Sequence, residues 1–411
     1  MGNDFENFGT MFAGNSEFID AKIVILGVGG AGNNAVDRMI EEGTFDDVKF
    51  ISVNTDVNVL LNSKAPVKVQ IGKKLTRGLG AGARWEVGKD SAEESIDEIK
   101  QVIDDADVLF ITAGMGGGTG TGAAPVIAKC AKEKGILTIA VVSKPFAFEG
   151  SKKMRTAETG ITELKESVDS LIVVPNNNIF KVFKDKAQMR DCFHKADEIL
   201  MQSVSGIYDI IKKCGDINID FADIRTIMTN RGIIHMGVGF GKGENRFKEA
   251  LARATQNQLL ETTIDGARAV LVQYYGDKLD MMEISNCGDE ICAKADPNVE
   301  LIFGTREATE VNDDMRDFVM ITIIAADFAP ESSTISPTEE SFSSVISPDN
   351  FVKPVQPAQP VQSPYQFNPT VINSEPAPIA PKTEDSEFDP FDPLSGSDGG
   401  DGIPDFLRRP R

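Results

Sequence analysis

The sequence predicts an α/β fold in which a doubly wound parallel-sheet domain is followed by a long central helix and a smaller α+β domain. Three observations predict it. Short apolar runs alternate with helical patterns from Lys22 to Asn176, the repeat of a parallel sheet covered on both faces. An unbroken helical pattern then runs from Met189 to Lys213. Beyond it the texture changes to a second, shorter set of strands and helices.

The strands of the first set are KIVILG (22–27), VKFISVN (48–54), ADVLFITAG (106–114), ILTIAVVS (136–143) and SLIVVPN (170–176). Helical patterns occupy 33–42, 121–134 and 154–168, and an acidic helix before the third strand carries Ile96, Ile99 and Ile103 on one face. In the long helix Ile199, Leu200, Val204, Ile207, Ile210 and Ile211 supply the apolar positions, and ~24 residues at 1.5 Å each span roughly 36 Å. The second set comprises helix 220–228, strand 232–241, helix 244–260, strand 267–275, helix 280–293 and strand runs at 299–304 and 317–326. The expected organisation is a disordered arm (1–20), the parallel-sheet domain (21–188), the central helix (189–214), the α+β domain (215–328), a disordered acidic linker (329–400) and a C-terminal docking peptide (401–411). Prolines crowd the stretch from Pro330 onward, which also favours Ser, Gln and acid and cannot bury enough apolar surface to fold alone. The last segment, DGIPDFLRRPR, reverses that trend with Ile403, Phe406 and Leu407 followed by arginines, the makeup of a short docking motif.

Composition narrows the function. Of 411 residues, 63 are Asp or Glu against 42 Lys or Arg, a net charge of -21 that repels phosphate backbones and disfavours nucleic-acid binding. Any nucleotide phosphate must therefore be held locally, by backbone N–H groups and a few placed cations. Two histidines, His194 and His235, supply His-based triads and metal sites poorly. The cysteines (Cys130, Cys192, Cys214, Cys287, Cys292) are scattered and read as reduced thiols. MGNDFENFGT has no apolar signal core, Glu6 stands where myristoylation expects Ser or Thr, and FVMITIIAA (318–326) is too short to span a bilayer. A cytoplasmic protein without direct membrane insertion is expected.

GVGGAGNN (27–34) leaves the first strand and opens a helix, matching G-x-G-x-x-G through Gly27, Gly29 and Gly32, with Asp56 after the next strand. Alone it would suggest a Rossmann-type NAD-binding oxidoreductase. A second loop, GGGTGTG (116–122), follows the third strand in the same way, with Thr119 and Thr121 offering hydroxyls. Such glycine density lets a nest of N–H donors approach phosphate oxygens, and a single dinucleotide site has no use for it. EVGKD does not complete a P-loop, so no P-loop lysine is present.

GGGTGTG is a signature of the tubulin/FtsZ GTPase superfamily, and over residues 20–328 the sequence resembles its bacterial cell-division branch. The resemblance implies a GTP site. Gly30, Ala31, Gly32, Asn33 and Asn34 would form the first loop, with Asn54, Thr55 and Asp56 in the next. Gly80, Ala81 and Gly82 would lie near the γ-phosphate, and Gly117, Gly118, Thr119 and Gly120 would hold the β- and γ-phosphates. Pro145, Glu149 and Asn176 fall at the ribose, Lys153 at the γ-phosphate, Phe193 on guanine and Asp197 on the guanine N1 and N2 protons. A carboxylate accepting two N–H bonds is satisfied by guanine and left unpaired by adenine. Mg2+ is expected on the phosphates, without a dedicated protein cage.

In NIDFAD (218–223), Asp220 reads as a helix N-cap and Asp223 as a first-turn acid. The resemblance implies instead that Asn218, Asp220 and Asp223 enter the neighbouring subunit's site and cleave its GTP. That makes the protein a head-to-tail homopolymer, gathered at the mid-cell division site by a membrane tether and regulators that bind residues 401–411. The chain departs from the family at Lys153 (usually Arg), Arg84-Trp85 (usually Asn-Pro), Cys214-Gly215-Asp216 (usually Pro-Gly-Leu) and Gln258 (usually Pro). Lys can act as a point charge but lacks the guanidinium fork, so Arg155 is an alternative phosphate contact. The rivals are the NAD oxidoreductase, which leaves GGGTGTG unexplained, and a non-hydrolysing scaffold, which leaves the carboxylates unexplained.

Overall fold

The computed structural model describes residues 21–181, 188–256, 259–260, 262–308 and 316–328. The expected arm, linker and docking peptide, and Gln258, lie outside them.

Seven strands form the first sheet: β1 (Ile23–Val28), β2 (Val48–Asn54), β3 (Val67–Gln70), β4 (Val108–Gly114), β5 (Leu137–Lys144), β6 (Ser170–Pro175) and β7 (Gly232–Ile233). Their order is β3-β2-β1-β4-β5-β6-β7 and every pairing is parallel. The helices are α1 (Gly29–Glu42), α2 (Val57–Asn62), α3 (Lys73–Thr76), α4 (Trp85–Glu94), α5 (Ile96–Val102), α6 (Thr119–Glu133), α7 (Ser151–Ser167) and the long α8 (Met189–Lys212). Alternate residues of β1 feed opposite cores. Ile23 and Ile25 join the layer holding α1 and α8, whereas Val24, Leu26 and Val28 join the layer holding α6.

Ile199, Leu200, Val204, Ile207 and Ile210 of α8 are buried in one cluster with Ile139 and Ile172 of the first sheet and Leu271 and Ile324 of the second. The helix is apolar on so wide an arc because it is packed from both sides. The second sheet has order β10-β9-β11-β8, with β8 (His235–Lys242), β9 (Ala267–Gly276), β10 (Glu300–Glu307) and β11 (Phe318–Phe328). β9 and β10 are parallel, and β11 is antiparallel to β8 and β9. Around it lie α9 (Phe221–Met228), α10 (Arg246–Thr255) and α11 (Met281–Lys294).

The run expected as one strand at 232–241 is divided. Gly232 and Ile233 pair with Ser170 and Leu171 in the first sheet, whereas His235 onward pairs with β11. Gly237, Gly239 and Gly241 let α10 lie directly on β8. A Cβ at these positions would stand 1.7, 1.8 and 1.9 Å from the carbonyl oxygens of Ala254, Ala250 and Arg246. No helix among the described residues is long and apolar enough to cross a membrane.

Candidate functional site

The strand order reverses between β1 and β4, so the loops leaving those strands part there and open a crevice at the carboxyl edge of the sheet. The two loops touch at its floor. A Cβ on Gly29 (φ +74°) would lie 2.8 Å from the Gly120 nitrogen, and one on Gly32 would lie 2.3 Å from the Thr112 oxygen. Asn33 is buried with its side chain turned inward. It donates to the Gly27 oxygen at 2.9 Å and accepts from Asn54 Nδ2 at 2.7 Å, fixing the first loop to the end of β2. Gly30, Ala31 and Asn34 remain exposed.

The glycines of 116–122 divide their work. Gly122 admits α4, since a Cβ there would meet the Trp85 oxygen at 1.9 Å. Gly118 admits Ala81 (2.8 Å), Gly120 the Gly114 oxygen (2.7 Å), and Gly116 (φ +95°) the Lys153 oxygen (2.6 Å). Gly117 in this loop and Gly30 in the first have no neighbour within 4 Å of a Cβ, so at these two the missing side chain leaves free space. The hydroxyls are engaged: Thr119 Oγ1 lies 2.7 Å from Thr55 Oγ1, and Thr121 Oγ1 accepts from the Gly116 N–H at 2.8 Å. Gly117→Ala is therefore expected to leave thermal unfolding of the nucleotide-free protein unchanged and to weaken nucleotide binding. Gly122→Ala is expected to lower the unfolding temperature with or without nucleotide. Equal loss of stability in both would contradict this division.

Loop 78–83 closes one flank. Gly78, Gly80, Gly82 and Ala83 all have positive φ, Gly80 N–H donates to the Thr55 oxygen at 3.4 Å, and Ala81 is buried. Asp56 caps α2 by accepting from the Asn58 N–H at 2.8 Å. On the other flank β5 delivers buried Pro145 and Phe146. Phe146 stacks on Phe148 (5.1 Å) and meets the edge of Phe193 (5.3 Å, 83°), whose ring stays 37% exposed. Glu149 accepts from the Phe146 N–H at 2.9 Å and pairs with Lys153. Arg155 is exposed.

Two further acceptors come from the end of β6 and from α8. Asn176, just past β6, is 6% exposed and its Oδ1 is unsatisfied, a state that costs about 1–3 kcal/mol and that a ligand hydroxyl would relieve. Asp197 lies one turn along α8 from Phe193, on the same face. Burial raises its carboxyl from 3.8 to about 7, against the opposing pull of Arg38. The open backbone at Gly30 and Gly117, the half-covered ring and these two acceptors fit a nucleotide laid from phosphates to base.

Asn218, Asp220 and Asp223 are not in this crevice. They follow the far end of α8, and Phe193 to Lys212 alone spans about 28 Å of helix. Asp220 occupies the N-cap position of α9 (φ -69°, ψ 144°), yet its side chain makes no capping hydrogen bond. Asp220 and Asp223 are exposed, and Asn218 Oδ1 accepts from the Gly215 N–H at 2.6 Å. The capping use suggested by sequence is thus not exercised. Among the described residues no group of three or more His, Cys, Asp or Glu is arranged for a metal ion. Sequence reasoning missed Phe146 as the hub of the aromatic group; its only signal was the repeated Phe of KPFAFEG.

Comparison with known proteins identifies the family and the fold. A profile of the Tubulin/FtsZ family, GTPase domain, matches residues 22–184, and one of the FtsZ family, C-terminal domain, matches residues 232–329. A structure of an empty FtsZ dimer from M. jannaschii is similar at 39% identity and a TM-score of 0.69, covering 76% of this chain and 89% of that one. The GDP-bound monomer of CetZ1 from Haloferax volcanii matches at 23% identity and a TM-score of 0.65, covering 76% and 96%. CetZ2 from the same organism, a GTPgS-bound protofilament, matches at 19% identity and a TM-score of 0.62 over the same shares. At the two lower identities the likeness is one of fold.

Proposed function

The chain belongs to the tubulin/FtsZ family of GTPases, and from that premise we propose that it is a cell-division GTPase that polymerises head to tail and cleaves GTP between subunits. The FtsZ type is preferred over the CetZ type because identity is 39% to the first and 23% to the second. A bacterial source is part of the proposal and rests on the sequence resemblance; the structures compared come from M. jannaschii and Haloferax volcanii.

In this reading the backbone of Gly30, Ala31, Gly32, Asn33 and Asn34 and of Gly117, Gly118, Thr119 and Gly120 cradles the phosphates. The N-terminus of α6, at Thr119, adds its dipole to those N–H groups. Gly80, Ala81 and Gly82 flank the γ-phosphate, while Asp56 holds the adjoining turn. Pro145, Glu149 and Asn176 receive the ribose, Phe193 packs on guanine, and Asp197 accepts its N1 and N2 protons. Lys153 exchanges Glu149 for the γ-phosphate, with Arg155 as the alternative cation. Mg2+ bound on the phosphates supplies neutralisation of their charge.

One observation carries the assembly: the guanine end of the crevice and the carboxylates Asp220 and Asp223 are separated by most of α8. They can meet around one nucleotide only if one subunit's lower face is set on the next subunit's crevice. Such a heterologous contact repeats without closing and gives a filament. There Asp220, Asp223 and Asn218 orient the water whose oxygen bonds to the γ-phosphorus as the bond to the β–γ bridging oxygen breaks. The nucleotide-bound protofilament of CetZ2 is in keeping with this arrangement. Residues 401–411 would dock on a membrane tether and regulators and bring the filament to mid-cell in the cytoplasm; they lie outside the described residues.

The test is GTP turnover per subunit against protein concentration. It should be near zero below a threshold and rise above it together with pelletable polymer. Turnover per subunit that is constant at all concentrations would contradict the proposal.

A further inference from the structure

We propose that Asp216 is a positioning residue that locks the carboxylate loop onto the second sheet, so that β10 sets where Asp220 and Asp223 are presented. The inference rests on the reading that those two carboxylates act on a neighbour's nucleotide.

The loop between α8 and α9 is bound along the outer edge of β10. The N–H groups of Asp216 and Ile217 donate to the Thr305 oxygen at 2.9 and 3.2 Å, and Thr305 N–H returns a bond to the Ile217 oxygen at 3.0 Å. Gly215 lies so close that a Cβ would stand 2.2 Å from the Thr305 oxygen. These are main-chain contacts, which hold any sequence with glycine at 215. The Asp216 side chain adds a clamp of its own: its Oδ2 accepts from the Glu307 N–H at 3.0 Å, two residues further along β10. The second sheet carries that point firmly. Glu307 Oε1 accepts from the Leu279 N–H at 3.3 Å, the Ala308 N–H donates to the Gly276 oxygen at 2.9 Å, and the Arg306 guanidinium lies 4.0 Å over the Tyr275 ring.

A loop that ends on the exposed Asp220 and leads into the exposed Asp223 in the first turn of α9 gains most from a second anchor, because orientation of a reacting water tolerates little displacement. Hydrogen bonds to a charged acceptor are the stronger kind, and here the acceptor is a carboxylate at the edge of the loop.

The experiment compares Asp216→Ala and Asp216→Asn with the parent protein. Asp216→Ala should lower kcat per pelleted subunit about tenfold, the loss of one charge-assisted bond. KM and the GTP affinity of unassembled protein should stay unchanged. Asp216→Asn, whose amide oxygen still accepts from Glu307, should retain most of the activity. Unchanged kcat in Asp216→Ala, or equal loss in both variants, would overturn the proposal. Amide exchange of unassembled protein serves where Asp216→Ala fails to assemble. Faster exchange at Glu307 and residues 215–218 supports the clamp, and parent-like exchange overturns it. Full turnover in Asp223→Ala would instead sink the catalytic reading and leave the exchange result standing.

Discussion

Replacing Asp223 with Ala is expected to lower GTP turnover in assembled protein by roughly 10²–10⁴-fold, the range for a group that orients or deprotonates a reacting water. GTP affinity of the unassembled protein should be unchanged, because Asp223 follows the far end of α8 from Phe193 and Asp197. Folding should also be spared: Asp223 is exposed and no side-chain cap depends on it. Phosphate release, equilibrium binding and thermal unfolding measured on one preparation check all three. A loss of binding that matches the loss of turnover would move Asp223 into the nucleotide crevice and contradict the geometry.

The second large effect is at Asp197. Two hydrogen bonds from guanine to one carboxylate are worth about 1.5–3 kcal/mol each, so Asp197→Ala should weaken GTP binding by roughly 10²–10⁴-fold. Asp197→Asn should also bind poorly, since its NH2 would face a guanine donor. The pH dependence follows from the raised carboxyl. In the nucleotide-free protein Asp197 titrates at about 7, and guanine needs it ionised. GTP affinity should therefore be flat above about pH 7 and fall about tenfold per unit below it. Stability runs the other way. The folded value lies above the ordinary 3.8, so the folded protein holds this proton more tightly than the unfolded chain. The resulting stabilisation is complete below about pH 4 and is lost as pH rises through about 7. Nucleotide-free Asp197→Asn should accordingly unfold at the parent temperature near pH 4 and at a higher temperature near pH 8. Calorimetric titration with GDP and thermal scans across pH 4–8 read both arms. A GTP affinity independent of pH would remove Asp197 from the base contact.

The parallel strands were legible because each is an apolar run flanked by turn residues, and α8 because its apolar period holds for six turns. The region from Val57 to Glu94 was not: α2, α3 and β3 are four to six residues long and offer no sustained period. The strand at 232–241 looked continuous because Gly232 through Gly241 share one texture, while the partners that divide it, Ser170 and Ala325, lie far away in sequence. The helix expected to reach residue 260 ends at Thr255, where apolar residues of Leu259-Leu260 type continue the pattern but not the turn.

The candidate site was legible to a similar depth. Both glycine loops stand where the sequence placed them, at the carboxyl ends of β1 and β4, whereas the role of Asp197 came from the resemblance and is carried here as a proposal. What sequence could not reveal was which glycines face open space. Gly117 and Gly122 look alike in GGGTGTG, yet one has no neighbour and the other is filled by the Trp85 carbonyl. Likewise Asn33 reads as a loop amide, but its side chain is spent on Gly27 and Asn54. Such assignments depend on contacts between residues far apart in the chain, which no local pattern encodes.

The central claim is that catalysis is completed by a second subunit, and complementation tests it most directly. Asp223→Ala keeps its crevice but offers no catalytic carboxylate at that position. Gly118→Glu keeps its carboxylates but puts a negative side chain in the loop proposed to cradle the phosphates, so it should not hold GTP. Thermal unfolding beside the parent checks that it folds, because a Cβ at 118 would lie 2.8 Å from the Ala81 Cβ. Each alone should be nearly inactive. Mixed, with co-pelleting to confirm joint assembly, they should recover turnover that peaks at intermediate ratios, where GTP on one variant meets the intact Asp223 of the other. Co-assembly without recovery at any ratio would contradict catalysis across the interface.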